Sequence, residues 1–396
     1  MKIENKRQWI GELFFLLGTI LYITYYFFYI AYYWYVEKDP TRQMPVQRLF
    51  YIGLICFVVK IILTKYQWKE VIIGAVGAVL MYLCWKSSGG IDYPANYLII
   101  LAMKDVDLKK VMKAVFACGF VGLSYGFTWF FVNAPDKLTT VKDYGRGMIE
   151  VRYKFCTWHA NTIHLMIMVL IVSFLYAYYK KMKWWAFAIM FYFNYEFYQL
   201  SKSRTAFYCG SAAIIAYFIL RYARKIYEFK ISLILLEIGN LVGIFLSIYY
   251  GLYSQLTDPT FMRLDQLITG RLTVARNCFL EAGIPLFGSN IGGKVCGYGI
   301  YTQANDGYVT ELGIVRTLLE YGPIVFGLFC AFMLIAVWVL YKKGYFGAMV
   351  LLEIGFIACG VEAYFPAAYN LKAFVFGLAF YQLMHQITAG FHQTTC

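Results

Sequence analysis

The sequence predicts an all-α, polytopic integral membrane protein of about twelve transmembrane helices forming a single membrane domain over residues 1–396. Composition, apolar run length and the placement of basic residues each point there. The chain is 61% hydrophobic and 20% aromatic but only 15% charged, with a mean hydropathy of +0.58. A soluble protein of this length cannot hide so much apolar surface, so lipid must solvate most of it. Apolar segments able to cross hydrocarbon fall near 9–35, 47–64, 70–86, 91–103, 112–133, 160–179, 184–200, 204–221, 231–250, 313–341, 344–362 and 371–388.

The first run has a basic start but is too long and too aromatic for a signal peptide, and no small-residue cleavage site follows, so it reads as a retained span. The fourth run is short. With it, the clusters Lys2/Lys6/Arg7, Lys65/Lys69, Lys104/Lys109/Lys110/Lys113, Lys180/Lys181/Lys183, Arg221/Arg224/Lys225/Lys230 and Lys342/Lys343 all fall on one side. Without it, three clusters change sides. The positive-inside rule makes the shared side cytoplasmic, which places both termini in the cytoplasm of a plasma-membrane protein. Two long segments then lie outside, 134–159 and 251–312.

The net charge of +14 needs no nucleic-acid partner, because about half of the basic residues are these cytoplasmic anchors. The ten cysteines occur singly, without the spacing of a metal site or disulfide framework, although Cys278 and Cys296 share one loop and could pair. Against the charge rule, Arg146, Arg152, Arg204, Arg263, Arg271 and Arg276 all fall outside. Arginine offers a permanently charged planar fork suited to phosphate. Each one taken singly is equally well an interfacial anchor, its stem in lipid and its head in water.

Four stretches carry a family resemblance: "VRYKFCTWHANTIH" (151–164), "SKSRTAF" (201–207), "TGRLTVARNCFLEAGIPLFGSNIG" (269–292) and "NDGYVTELGIVRTLLEYGPIVFGLF" (305–329). In this order, on outside segments, they resemble the O-antigen polymerase and ligase superfamily in its oligosaccharide repeat-unit polymerase (Wzy-type) branch. The resemblance covers residues 150–330, while the first 130 residues match only in hydropathy. It implies a membrane-embedded C-type glycosyltransferase (GT-C) fold and an inverting transferase acting on the outer face of the plasma membrane in capsule, exopolysaccharide or O-antigen synthesis. The growing glycan would pass from undecaprenyl diphosphate to the terminal sugar of another lipid-linked repeat unit. Its partners would be the bilayer, undecaprenyl diphosphate-linked oligosaccharides, a chain-length regulator and a flippase.

Carried over residue by residue, Arg152, Arg204 and Arg271 are the expected diphosphate ligands. They would stabilise the anion that develops as the anomeric bond breaks, with Ser203, Thr205 and Arg276 in support. Arginines in that role leave no need for a metal ion or other cofactor. A base must also take the acceptor proton. His159 is one candidate, the alternative being a cap on the sixth span together with Asn161. Asp306 is the other, with an N-cap as its alternative. Asn305-Asp306 stands where ligases of the superfamily have a histidine, which favours the polymerase branch. Ala160 stands where the family often has proline. Glu196, a carboxylate inside a span, is expected to orient Arg204, bind sugar hydroxyls or snorkel. A ligase-type transferase and a lipid-linked oligosaccharide flippase are the competing classes. A flippase would line a cavity between two related halves, and the sequence shows no internal repeat.

Overall fold

The computed structural model describes residues 3–31, 40–135, 138–143, 149–155, 157, 159–255, 257–291, 310–362 and 371–393. Its helices are α1 Ile3–Ala31, α2 Pro40–Leu63, α3 Trp68–Ser88, α4 Asp92–Ala102, α5 Leu108–Asn133, α6 Ala160–Tyr178, α7 Trp184–Ser201 and α8 Arg204–Tyr222. They continue with α9 Lys230–Ile248, α10 Pro259–Leu267, α11 Arg271–Ala282, α12 Gly313–Lys342, α13 Phe346–Cys359 and α14 Leu371–Gln393. Within the described residues, each of the twelve apolar segments is mostly helical. Among the described residues, eight helices are long and apolar enough to cross a membrane; α4, α7, α13 and α14 fall short of that measure. The all-α expectation omitted an antiparallel ribbon, β1 Thr139–Asp143 with β2 Ile149–Tyr153, in which Val141 faces Val151. The loop 251–312 contributes two helices, α10 and α11.

The helix order in space follows from burial. The span containing α6 is 83% buried and that containing α9 only 6%, so α6 is the central post and α9 lies on the perimeter. Packing runs from α1 against α2 and α5, through α5–α6 and α6–α8, to α8–α13, while α14 fills the space against α4, α12 and α13. Outward faces are apolar too, as with Ile234, Leu235, Ile238 and Phe245 on α9 and Val71, Ile72, Val76 and Val79 on α3. Such a perimeter suits lipid rather than water.

The ends of the bundle differ in chemistry. One end carries Arg7, bound to the Ile62 carbonyl at 2.8 Å, the Lys110–Glu12 pair at 2.7 Å and the Arg224–Glu228 pair at 3.1 Å. There α4 also returns to the start of α3, with Lys104 Nζ 2.5 Å from Glu70 Oε2. The 11-residue α4 is only about 16 Å long, yet it reverses the chain, so the basic clusters on both sides of it share an end. The opposite end carries the α3–α4 turn, the ribbon, α10 and α11.

There α12 is interrupted at Gly322 (φ 79°), followed by Pro323. Proline has no N–H, so the carbonyl four residues earlier loses its helical donor. That carbonyl, Leu319 O, instead accepts from Ser289 N at 3.0 Å. Gly288 (φ 79°) sits directly on the Glu320 backbone, and a Cβ there would collide with it. Ser87 Oγ donates to Gly288 O at 2.6 Å. The Phe287-Gly288 segment is thereby locked between the α12 kink and the α3–α4 turn.

Candidate functional site

The Gly-Arg motif is placed by a tight turn. After α10, Thr269 (φ 60°) and Gly270 (φ 81°) are both left-handed, and Gly270 N donates to Asp265 O at 2.8 Å. Asp265 also caps α11, accepting from Leu272 N at 2.8 Å and from the Thr273 hydroxyl at 2.5 Å. Arg271 is therefore fixed as the first residue of α11, and its buried side chain runs to the end of α13. Its Nη1 donates to Glu362 Oε1 at 2.8 Å and to Val361 O at 2.5 Å. Its Nε pairs with Glu311 Oε2 at 2.6 Å.

The Ser-Arg-Thr motif reaches the same carboxylate. The Thr205 hydroxyl lies near enough to Glu362 to favour its charged form, and Arg204 Nη2 donates to the carbonyl of Leu267, the last residue of α10, at 2.6 Å. A buried polar chain beneath the motif sets its turn. Lys202 is left-handed (φ 54°), and Ser203 N donates to Ser201 Oγ at 3.2 Å. Ser201 Oγ meets His164 Nδ1 at 2.9 Å, and His164 Nε2 meets Asn194 Oδ1 at 3.0 Å. Asn194 Nδ2 donates to Phe207 O and to Ser211 Oγ, both at 3.0 Å. Because the amide nitrogen already donates twice, Oδ1 must accept, which makes His164 Nε2 the protonated nitrogen. This network ties α6, α7 and α8 together under Arg204.

Several polar atoms near these motifs are buried without a hydrogen-bond partner: Ser203 Oγ, Thr310 Oγ1, and Nε and Nη1 of Arg276. A buried guanidinium nitrogen left unpaired is costly, so such groups point to a bound anion or other polar ligand.

The remaining expected residues are distributed as follows. Arg152 is 3% exposed and pairs within the ribbon, with Nε and Nη2 at 2.9 and 2.7 Å from Glu150 Oε2. His159 is the N-cap of α6, where its Nδ1 accepts from Asn161 N at 3.1 Å. Glu196 is exposed on α7 and lies beside the Tyr192 hydroxyl, one turn earlier. Arg263 is exposed on α10. Asn305, Asp306, Arg146 and Cys296 lie outside the described residues. Cys278 is disulfide-bonded.

The structure thus brings Thr205 and Arg271 together at Glu362, with the neighbouring Arg204 bound to the end of α10. Sequence reasoning missed Glu362, Glu311, His164 and Asn194. No family model, curated protein or solved structure matches this chain.

Proposed function

We propose that the protein is a membrane glycosyltransferase that polymerises lipid-linked oligosaccharide repeat units at the arginine-bearing end of the bundle. The observation that carries this reading is Arg276, whose buried Nε and Nη1 have no partner, on the helix that opens with Arg271. Support also comes from the convergence of the Ser-Arg-Thr and Gly-Arg motifs on Glu362. These are two of the four stretches that carry the family resemblance. Cys278, on α11, is disulfide-bonded, which suits a segment on the oxidising outer side.

In the proposed reaction an acceptor hydroxyl oxygen attacks the anomeric carbon of the growing glycan. The bond from that carbon to the diphosphate oxygen breaks, and its electron pair leaves with undecaprenyl diphosphate. The hydroxyl proton passes to a base, for which His159 and Asp306 are the candidates. Arg204 and Arg276 face the developing anion with charge-assisted donors that need no reorganisation. Arg271, held between two carboxylates, serves chiefly to fix the Thr205 turn through Glu362, with Arg152 ordering the ribbon alongside.

The test is the glycan length distribution in cells lacking the protein. Single repeat units at the surface are the expected result. Loss of all surface units would instead identify a flippase.

A further inference from the structure

A second polar cluster lies on α12, shortly beyond Glu311. Arg316 Nε donates to Glu320 Oε2 at 2.6 Å, and Glu320 Oε1 accepts from the Tyr321 hydroxyl at 3.3 Å. From α4, Asp92 accepts from Tyr26 of α1 at 3.3 Å. Tyr93, also on α4, places its hydroxyl 2.5 Å from Thr317 Oγ1 and its ring 4.1 Å from that of Tyr321. Asp92, Tyr93 and Arg316 lie where α1, α4 and α12 meet and yet keep accessible surface. Side chains packed among three helices and still reachable line a recess. Asn96, one helical turn below Asp92 on the same face of α4, is 9% exposed, and its buried Oδ1 has no hydrogen-bond partner. An amide oxygen held dry and unpaired is an acceptor awaiting a donor.

We propose that this recess binds a neutral, hydroxyl-rich group, the terminal sugar of the acceptor; the inference rests on the transferase reading above. The charge balance argues against phosphate here, since one guanidinium faces two carboxylates. Asp92, Glu320 and the Asn96 oxygen accept from hydroxyls, Arg316 donates, and the Tyr93 ring offers an apolar surface to sugar C–H groups. Position supports the assignment. Glu311 belongs to the Arg271 cluster and Arg316, five positions further on, to the recess. The helix begins only at Gly313, so two extended steps of up to about 3.5 Å and three helical steps of about 1.5 Å separate them by roughly 12 Å at most. A hydroxyl of a sugar in the recess is then within reach of an anomeric carbon held at the arginines.

The experiment uses full-length protein in nanodiscs and two probes: the lipid-linked repeat unit extracted from producing cells, and undecaprenyl diphosphate bearing no sugar. Wild type should bind the glycan-bearing lipid more tightly. Asp92→Asn and Asn96→Leu should each reduce that preference on the order of tenfold, the scale of one lost buried hydrogen bond, while leaving the sugar-free probe unaffected. Arg204→Ala should weaken both probes alike. If both recess variants keep the wild-type preference, or if wild type has none, the recess proposal falls, and an Arg204 effect would leave the diphosphate reading standing. If the preference is lost in the variants but Arg204→Ala changes nothing, the recess stands and the diphosphate reading falls. A variant that loses both probes has lost its fold, and the other variant then decides. Loss of both probes in both variants overturns the recess as a glycan site.

Discussion

The two ends of the bundle use charge in opposite ways. At the lysine-rich end the pairs are mostly simple and wet: the Lys110–Glu12 side chains are 52% and 20% exposed, and those of Arg224–Glu228 are 56% and 49% exposed. Among the described residues Lys104–Glu70 is the dry pair there, and it closes the α3–α4 hairpin. At the arginine end the Arg271 side chain is 7% exposed and meets two carboxylates, while Arg276 keeps buried nitrogens with no partner. Exposed pairs contribute little to stability, and buried ones cost desolvation that an apolar substitute would avoid. The exposed charges at the first end are therefore what topology alone requires. The buried ones at the second persist against their desolvation cost, which is the mark of a site.

The largest effect that can break this comparison is all or none. A cysteine introduced by Asp143→Cys in the ribbon should react with an impermeant maleimide in intact cells. One introduced by Tyr227→Cys should react only after permeabilisation, with the unmodified chain as background. The reverse pattern would put the arginine site in the cytoplasm and remove the case for an outer-face transferase.

Next in size is Arg271→Ala. It leaves the buried Glu362 and the partly exposed Glu311 without their cation, and breaking the buried Glu362 pair in this way costs about 3–5 kcal/mol. Thermal unfolding of the purified protein should show the loss, and adding Glu362→Gln should recover part of it. A change under about 1 kcal/mol, the range of an exposed pair, would mean that the two ends do not differ as described.

Arg204→Ala comes third. Charge-assisted hydrogen bonds contribute roughly 1.5–3 kcal/mol each, and 1.36 kcal/mol is tenfold in rate. Alanine should slow polymerisation on the order of a hundredfold, with Arg204→Lys intermediate because it keeps the charge and loses the planar fork. Wild-type glycan length in cells expressing either variant at normal protein level would make Arg204 the interfacial anchor that the sequence also allows.

Much of the fold was legible because helices and charge clusters are local signals. Each apolar run became a helix, and even the short 91–103 run reversed the chain as the lysine clusters demanded. The site was legible only in part, because ion pairing is not local. The rule that singles out Glu196, a carboxylate in an apolar run, applies equally to Glu362 in "ACGVEAYF", yet the fold sends the two in opposite directions. Glu196 sits on the outside of α7 beside Tyr192, whereas Glu362 lies beneath Arg271, a partner 91 residues away. His164 gave no signal either, since its partners Asn194 and Ser201 become neighbours only once α6 and α7 pack. The ribbon could have been read from the alternation in "IEVRY" and the Gly145 and Gly147 that precede it.

The smallest expected effect is the sharpest control. Arg224→Ala removes an i,i+4 pair with Glu228 at 3.1 Å and a guanidinium 5.4 Å from the Phe346 ring centroid. Exposed i,i+4 pairs contribute about 0.3–0.5 kcal/mol, and exposed cation–π contacts about 0.5–1 kcal/mol. The two share one side chain, so their sum should stay near or below about 1 kcal/mol. Lys225 and Lys230 remain to hold the topology, so the Tyr227→Cys label should stay protected and glycan length should not change. Loss of polymerisation in Arg224→Ala at normal protein level would show that the lysine-rich end contributes more than anchoring. The division of labour between the two ends would then have to be redrawn around the α8–α13 contact that joins them.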